Sequence, residues 1–286
     1  MFGQDKATAH RVLARVVPRP EFAGTLHDDA MARALGYPAA LVPGIDIYAY
    51  LAGLALAAWG SDWLWRGALR SHSLRPVYDG QALDIEAGPI ARGAAGDSVE
   101  LVVRNPDGTV VAEGRAQMAA APRPLPDLKD FPLLPRPSRV PPGAPEDLRP
   151  GLRFSAQPET VTPEQAARAA GEFFEPSALY RDEGIVHPGF LQRYALRQAH
   201  ASFAHATPPI YIWTEGEHYA PARAGQPLNV SGAIVRLWER KGHHYMESDQ
   251  LVVAGEPGRE HPVMRVRRAT IYQARRADAA DGRREG

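Results

Sequence analysis

The sequence predicts an α+β protein in which one structural unit is written twice, each copy a long apolar helix followed by antiparallel strands. Two landmarks predict the duplication. Pro43-Gly44 in Leu41-Val42-Pro43-Gly44 is matched by Pro188-Gly189 in Val186-His187-Pro188-Gly189, and Gly80-Gln81 is matched by Gly225-Gln226, both at a separation of 145 positions. The third observation is the stretch from Pro122 to Pro150, so crowded with proline that helix interiors and central strands are excluded and an extended path is favoured. The boundaries that follow are a first unit over 1–121, a linker over 122–150, a second unit over 151–274 and a small, charged, frayed tail over 275–286.

The elements read in order. His10 to Val17 (HRVLARVV) is a strand, and Asp28 to Leu35 is a short helix stopped by Gly36. A long helix runs from 45 to 59. After it, Gly67 to Leu74 is a strand, Pro76 to Gly80 a turn, and Leu83 to Ile90, Ser98 to Asn105 and Thr109 to Ala119 are strands, the last two flanking a Pro106-Asp107-Gly108 hairpin turn. In the second copy Thr162 to Phe173 is a helix, with Thr162 as cap, Pro163 in the first turn and Gln165 completing a capping box. A long helix follows Gly189 to about His205, and strands cover Ile210 to Tyr219, Leu228 to Glu239, Tyr245 to Ala254 and Pro262 to Tyr272. A long helix followed by a curled antiparallel sheet, twice over, describes a double hotdog.

Composition narrows the function. At 286 residues with 44% hydrophobic content, the chain can fill two cores of ordinary size. Its 33 basic and 33 acidic residues cancel, so no whole-chain field points to nucleic acid or an anionic membrane. The absence of cysteine excludes disulfides, thiolate catalysis and zinc ribbons and fits a cytoplasmic setting. Met1 to Ala9 has no apolar run of the signal-peptide kind. The most apolar segment, Ile45 to Trp59, is shorter than the roughly 18 residues of a membrane span and contains Asp46, so it is expected as a buried helix.

From His27-Asp28-Asp29-Ala30 through Gly36-Tyr37-Pro38 to Leu41-Val42-Pro43-Gly44, the first copy resembles the N-terminal signature of MaoC-like dehydratases, and Arg75-Pro76-Val77-Tyr78-Asp79-Gly80-Gln81 resembles a turn of the same family. The second copy matches only the later part, at Val186 to Gly189 and from Ala220-Pro221 to Gly225-Gln226. The resemblance implies a hydratase or dehydratase of acyl thioesters, an enoyl-CoA hydratase or 3-hydroxyacyl thioester dehydratase working in either direction in fatty acid metabolism. It implies no cofactor beyond the coenzyme A or acyl carrier protein that carries the substrate. It also implies a catalytic pair in an Asp-x-Asn-Pro-x-His loop, one member acting as base on water, and a thioester carbonyl polarised by a backbone N–H at the start of the central helix.

His27 falls at the family's histidine position, and an imidazole near pKa 6.5 can take or give a proton at neutral pH. The alternative is a histidine that only fixes its loop. Where the family places its aspartate this chain has Phe22, and Gly24-Thr25 replaces Asn-Pro. Glu21, one position away, is either the acidic partner brought in by a bulge or a solvated loop acid. Asp28 and Asp29 open a helix, where carboxylates are favoured. Gly44 and Gly189 are candidate oxyanion donors, or glycines needed for close packing. Asp46 is a capping acid or faces a cleft. His187 stands at the mouth of the second helix, and Glu172 takes the place corresponding to His27 at the 145-residue separation. His72 and His218 look like fold requirements, His243-His244 like a solvated turn, and Trp59, Trp63 and Trp65 like packing or an acyl tunnel. Arg66, Arg70 and Arg75 are solvated arginines or contacts for a coenzyme A phosphate. No metal-ligand spacing is present, and nucleophile-elbow, phosphate-loop and dinucleotide signatures are missing. The partner class is a small acyl thioester, without nucleic acid or membrane, and a homodimer through exposed sheet edges is compatible with the pattern. Rival readings are an acyl-CoA thioesterase and a non-catalytic acyl-thioester binding protein.

Overall fold

The structure, a computed structural model, describes residues 8–204 and 209–275. Nearly all of the expected frayed tail lies outside the described residues. The first unit comprises β1 (Thr8–Leu13), α1 (Asp29–Ala34), α2 (Gly44–Trp59), α3 (Trp63–Arg66), β2 (Gly67–Ser73), β3 (Ala82–Ala87), β4 (Gly96–Arg104) and β5 (Val110–Ala119). The second comprises β6 (Glu159–Thr160), α4 (Pro163–Glu172), α5 (Ala178–Asp182), α6 (Pro188–His200), β7 (Ile210–His218), β8 (Pro227–Arg240), β9 (His243–Ala254) and β10 (His261–Gln273). β1 ends four residues earlier than expected, because past Leu13 the chain bonds the turn before β3: Ala14 exchanges backbone bonds with Gly80 and Gln81, and the Val16 amide donates to the Asp79 carboxylate at 2.8 Å. α6 stops at His200, short of the expected 205.

The strands form one antiparallel sheet in the order β1-β3-β4-β5-β2-β7-β10-β9-β8-β6. The two halves of that order mirror each other, and β2 pairs with β7 at the centre. There Arg70 lies opposite Glu215, residues again 145 positions apart, so a pseudo-twofold axis passes through the join. The fold is a double hotdog.

α2 is buried on almost every side, from Ile45 to Ala52, which is how a continuous apolar run behaves inside a curled sheet. Ala49 of α2 meets Gly189 of α6, and Asp46 of α2 meets Arg193 of α6, so the central helices cross antiparallel near their N-terminal ends. On α4, Thr162 accepts from the Gln165 amide and Gln165 returns the bond, the capping box that the sequence predicts.

The proline-rich segment is an ordered strap. Leu128, Phe131 and Leu133 cover Tyr219, Leu251 and Val253, and Ser231 donates to the Pro132 carbonyl at 2.6 Å. Because Val252 and Ala254 face the inner core while Leu251 and Val253 face the strap, β9 is apolar on both faces.

The helix crossing makes a paired prediction. A Cβ on Gly189 would lie 2.5 Å from the Ala49 Cβ, whereas one on Gly171 of α4 meets nothing within 4 Å. Gly189→Ala is expected to destabilise by about 1–3 kcal/mol through overpacking, and Gly171→Ala to stabilise by roughly 0.5–1 kcal/mol through helix propensity. Urea unfolding of the two variants distinguishes them, and equal effects would contradict the crossing geometry.

Candidate functional site

The loop from Ala14 to Asp28 lays a short helical turn, Pro20–Phe22, beside the segment that enters α2. Thr25 fixes the turn: its hydroxyl donates to the Phe22 carbonyl at 2.8 Å and accepts from the His27 amide at 3.1 Å. Asp28 caps α1 by accepting from the Ala30 amide at 2.9 Å. Asp29 accepts from the Ala40 amide at 3.1 Å and from Arg33 at 2.8 Å. Both aspartates hold the loop.

His27 is half-buried, and its Nδ1 lies 2.7 Å from the Leu41 carbonyl oxygen. A carbonyl only accepts, so Nδ1 carries the proton and Nε2 carries the lone pair. Burial pushes the imidazole below its ordinary pKa, while the Leu41 bond and the charge of Asp46 work the other way. The ring is therefore a neutral base at pH 7. Beside it stands the Phe22 ring, with centroids 4.8 Å apart. Glu21 is exposed on the same turn and makes no hydrogen bond to His27, so of its two readings the structure shows the solvated loop acid and corrects the acidic partner, and the Phe22 ring stands beside the imidazole instead.

The carboxylates that approach this region come from elsewhere. Asp46, 3% exposed in the first turn of α2, accepts from Arg193 Nε at 2.9 Å and Nη2 at 2.7 Å. Arg193 also donates to Glu172 at 2.6 Å, and Glu172 accepts from Arg19 in turn. The Arg193 guanidinium lies over the Phe173 ring, 4.1 Å from its centroid. Two acids and two arginines thus form a part-buried ionic cluster that joins the halves next to His27. Burial pushes the Asp46 carboxyl up, and Arg193 opposes that shift.

The two central helices begin differently. The N-cap of α2 is Pro43, which has no side chain able to accept a bond, so the opening amides of α2 are left without a side-chain cap. At Gly44 the Tyr211 ring occupies the space a Cβ would need, so the glycine serves close packing as well. The N-cap of α6 is His187, whose Nδ1 accepts from the Gly189 amide at 2.9 Å. His187 is fully buried between Phe173 and Tyr180, at centroid distances of 4.8 and 4.6 Å. The expectation of His187 at an open mouth, with the Gly189 amide as a second oxyanion donor, is corrected: the histidine itself consumes that amide and packing seals it.

The remaining candidates take other places. His218 packs on Trp63 at 4.5 Å, and His72 pairs loosely with Glu113 at 3.8 Å. Arg70 lies over Trp213, and Arg66 donates to the carbonyls of Ala119 and Ala120. A cleft of about 590 Å³ opens at the opposite end of α2, between Trp59, Arg66, Arg92, Asp97 and Met118. Its arginines are already engaged, Arg66 with the Ala119 and Ala120 carbonyls and Arg92 with Asp97. Among the described residues no three histidine or acidic side chains gather as a metal site, and no helix is long and apolar enough to cross a membrane.

Solved structures share this architecture. A protein described as a MaoC domain dehydratase from Chloroflexus aurantiacus superposes with a TM-score of 0.68 at 15% identity, over 96% of this chain and 97% of the other. Rv0216 from Mycobacterium tuberculosis, described as a double hotdog, gives 0.59 at 15% identity, over 94% and 96%. A protein described as an oleoyl thioesterase from Lactobacillus plantarum gives 0.52 at 12% identity, over 94% and 98%. No family model matches the sequence, and no curated sequence matches it. The likeness is one of fold.

The buried histidines set a pH dependence of stability. Burial lowers His218 and His187 to about 3 in the folded state, against about 6.5 when unfolded. Between those values the unfolded chain binds more protons, so stability falls as pH falls, by about 1.4 kcal/mol per pH unit for each ring. Urea titrations at pH 6 and pH 5 should show His218→Gln losing less stability than the wild type by about that amount. Parallel losses in the two proteins would contradict a neutral, buried His218.

Proposed function

We propose that the protein is a hydro-lyase of acyl thioesters, hydrating a 2-enoyl thioester or dehydrating the 3-hydroxy thioester, with His27 as the acid/base. The observation that carries the reading is the fixed tautomer of His27: Nδ1–H is committed to Leu41, and Nε2 has no protein partner among the described residues. Leu41 also leads directly into the start of α2, so base and free helix amides belong to one short segment. In the hydration direction Nε2 takes a proton from water as the oxygen attacks C3 of the enoyl group. The electron pair moves through C2 to the thioester oxygen, where the Gly44 amide at the uncapped start of α2 stabilises the charge. The imidazolium returns its proton to C2, the charge collapses back, and the 3-hydroxy thioester results with the base regenerated. Asp46 lies close enough to favour the imidazolium electrostatically, which takes over part of the role of the missing aspartate.

A second reading rests on Phe22. Its ring, in place of a carboxylate, fits a protein that binds acyl thioesters without turning them over. A thioesterase is the third, supported by the shared fold of the Lactobacillus plantarum protein.

Crotonyl-CoA and butyryl-CoA separate the three. Hydration predicts loss of enoyl absorbance from crotonyl-CoA without free thiol; free thiol from butyryl-CoA points to hydrolysis, and binding without turnover to the second reading. His27→Ala should lower kcat/KM at least about 100-fold. Since the base must be neutral and its pKa is lowered, the acidic limb of the kcat/KM profile should fall below pH 6.5. A limb centred above that value would contradict His27 as the base.

A further inference from the structure

Asp46 is the only charged residue of α2, and helix capping does not explain it. Among the described residues its carboxylate bonds none of the free amides of its own turn; Oδ1 accepts from both Nε and Nη2 of Arg193, at 2.9 and 2.7 Å. Arg193 comes from the second unit, and the same guanidinium donates to Glu172 at 2.6 Å. Glu172, at the end of α4, accepts in turn from Arg19, the residue just before the Pro20–Phe22 turn of the His27 loop. These contacts run from α2 through α6 and α4 and return to the loop that carries the imidazole. His27 itself is tied by its Leu41 bond to the segment that leads into the turn of Asp46.

The pair occurs once. At the separation of 145 positions Asp46 corresponds to Leu191 and Arg193 to Tyr48, both buried and neither charged. A device that only held two similar units together would suit either side of the pseudo-twofold axis, and an apolar contact would serve it as well, since burying two charges costs about what their attraction returns. This pair instead stands beside the helix start that adjoins His27. The groups facing the Asp46 carboxylate are Arg193 of α6, Arg19 and His27 of the loop, and Tyr50 of its own helix. Burial pushes Asp46 towards the uncharged acid, and Arg193 is the strongest opposing influence. Burial also pushes His27 towards the neutral ring, against the Leu41 bond and the Asp46 charge.

We propose that Arg193 is a positioning residue for His27: by holding Asp46 as a carboxylate in the first turn of α2, it keeps a negative charge beside the imidazole, so that the second unit completes the site of the first. Its part in a reaction rests on the acyl-thioester reading above, whereas its effect on the imidazole does not. In hydration the proton that Nε2 takes from water makes an imidazolium, and the charge held at Asp46 stabilises that ion until the proton passes to C2. Phe22 has no charge with which to do this.

Nitrogen-15 NMR of the His27 ring in the full chain tests the proposal through a double-mutant cycle of Arg193→Met and Asp46→Asn. Without Arg193 the buried Asp46 takes up a proton, so the His27 midpoint should fall by about 1 pH unit, the scale of a neighbouring opposite charge. Asp46→Asn should lower it equally, and adding Arg193→Met to Asp46→Asn should change it no further. An unchanged or raised midpoint in Arg193→Met, or a further change in the double variant, would overturn the proposal. Each single variant should also lower kcat for crotonyl-CoA about 10-fold with KM little changed, one pKa unit being a factor of ten. Midpoints that move as stated in a protein without hydratase activity leave the positioning standing and remove the acyl-thioester reading. Were Arg193→Met not to fold, carbon-13 NMR of the wild-type Asp46 carboxyl decides: a carboxylate still ionised at the His27 midpoint supports the proposal, and one already protonated there overturns it.

Discussion

The pairing of β2 with β7 is the constraint on which the rest of this structure depends. Antiparallel pairing at that register makes one continuous sheet from two curled ones and places Arg70 opposite its own equivalent, Glu215. A sheet joined this way leaves its two central helices side by side and antiparallel, close enough at Ala49 and Gly189 that only glycine fits. That proximity in turn brings Arg193 of the second unit onto Asp46 of the first. Neither charge could be buried alone at tolerable cost, so the ionic cluster and the join support each other.

Duplication supplied two similar helix starts, and the side chains have made them different. Pro43 leaves the first turn of α2 without a side-chain cap, whereas His187 closes the first turn of α6 on itself. The same divergence runs through the position of His27, whose counterpart 145 residues later is Glu172. In the first unit the imidazole is oriented by a backbone carbonyl with one nitrogen left over; in the second the carboxylate is consumed by Arg19 and Arg193. One half keeps an imidazole nitrogen without a protein partner among the described residues, and the other turns the same position into part of the ionic cluster that joins the halves.

Much of this was legible in the sequence because it is local. The apolar run of α2, the alternating strands, the capping box at Thr162 and the proline strap all follow from residues within a turn or a strand of one another. The offset between Pro43-Gly44 and Pro188-Gly189 added the one long-range fact, duplication. What stayed hidden depends on register and on contacts between units. Arg193 and Asp46 are 147 positions apart, and nothing near Arg193 announces an ion pair. The buried polar row of Ser71, Thr214, Arg268 and Ser248 exists only once four strands are aligned. His187 read as an open mouth because its sequence neighbours are Pro188 and Gly189, while the rings that seal it, Phe173 and Tyr180, come from α4's end and α5, and the latter helix went unforeseen. At the His27 loop, Phe22 was legible as a departure from the family pattern, but the compensating proximity of Asp46 was not.

A base at position 27 requires a neutral imidazole with its proton on Nδ1. Nitrogen-15 NMR of the histidine side chains, assigned with His27→Gln and followed across pH, reads both properties directly. The expected spectrum is that of an Nδ1–H tautomer, with a midpoint below the ordinary 6.5 of histidine. An Nε2–H tautomer, or a midpoint above that value, would contradict it.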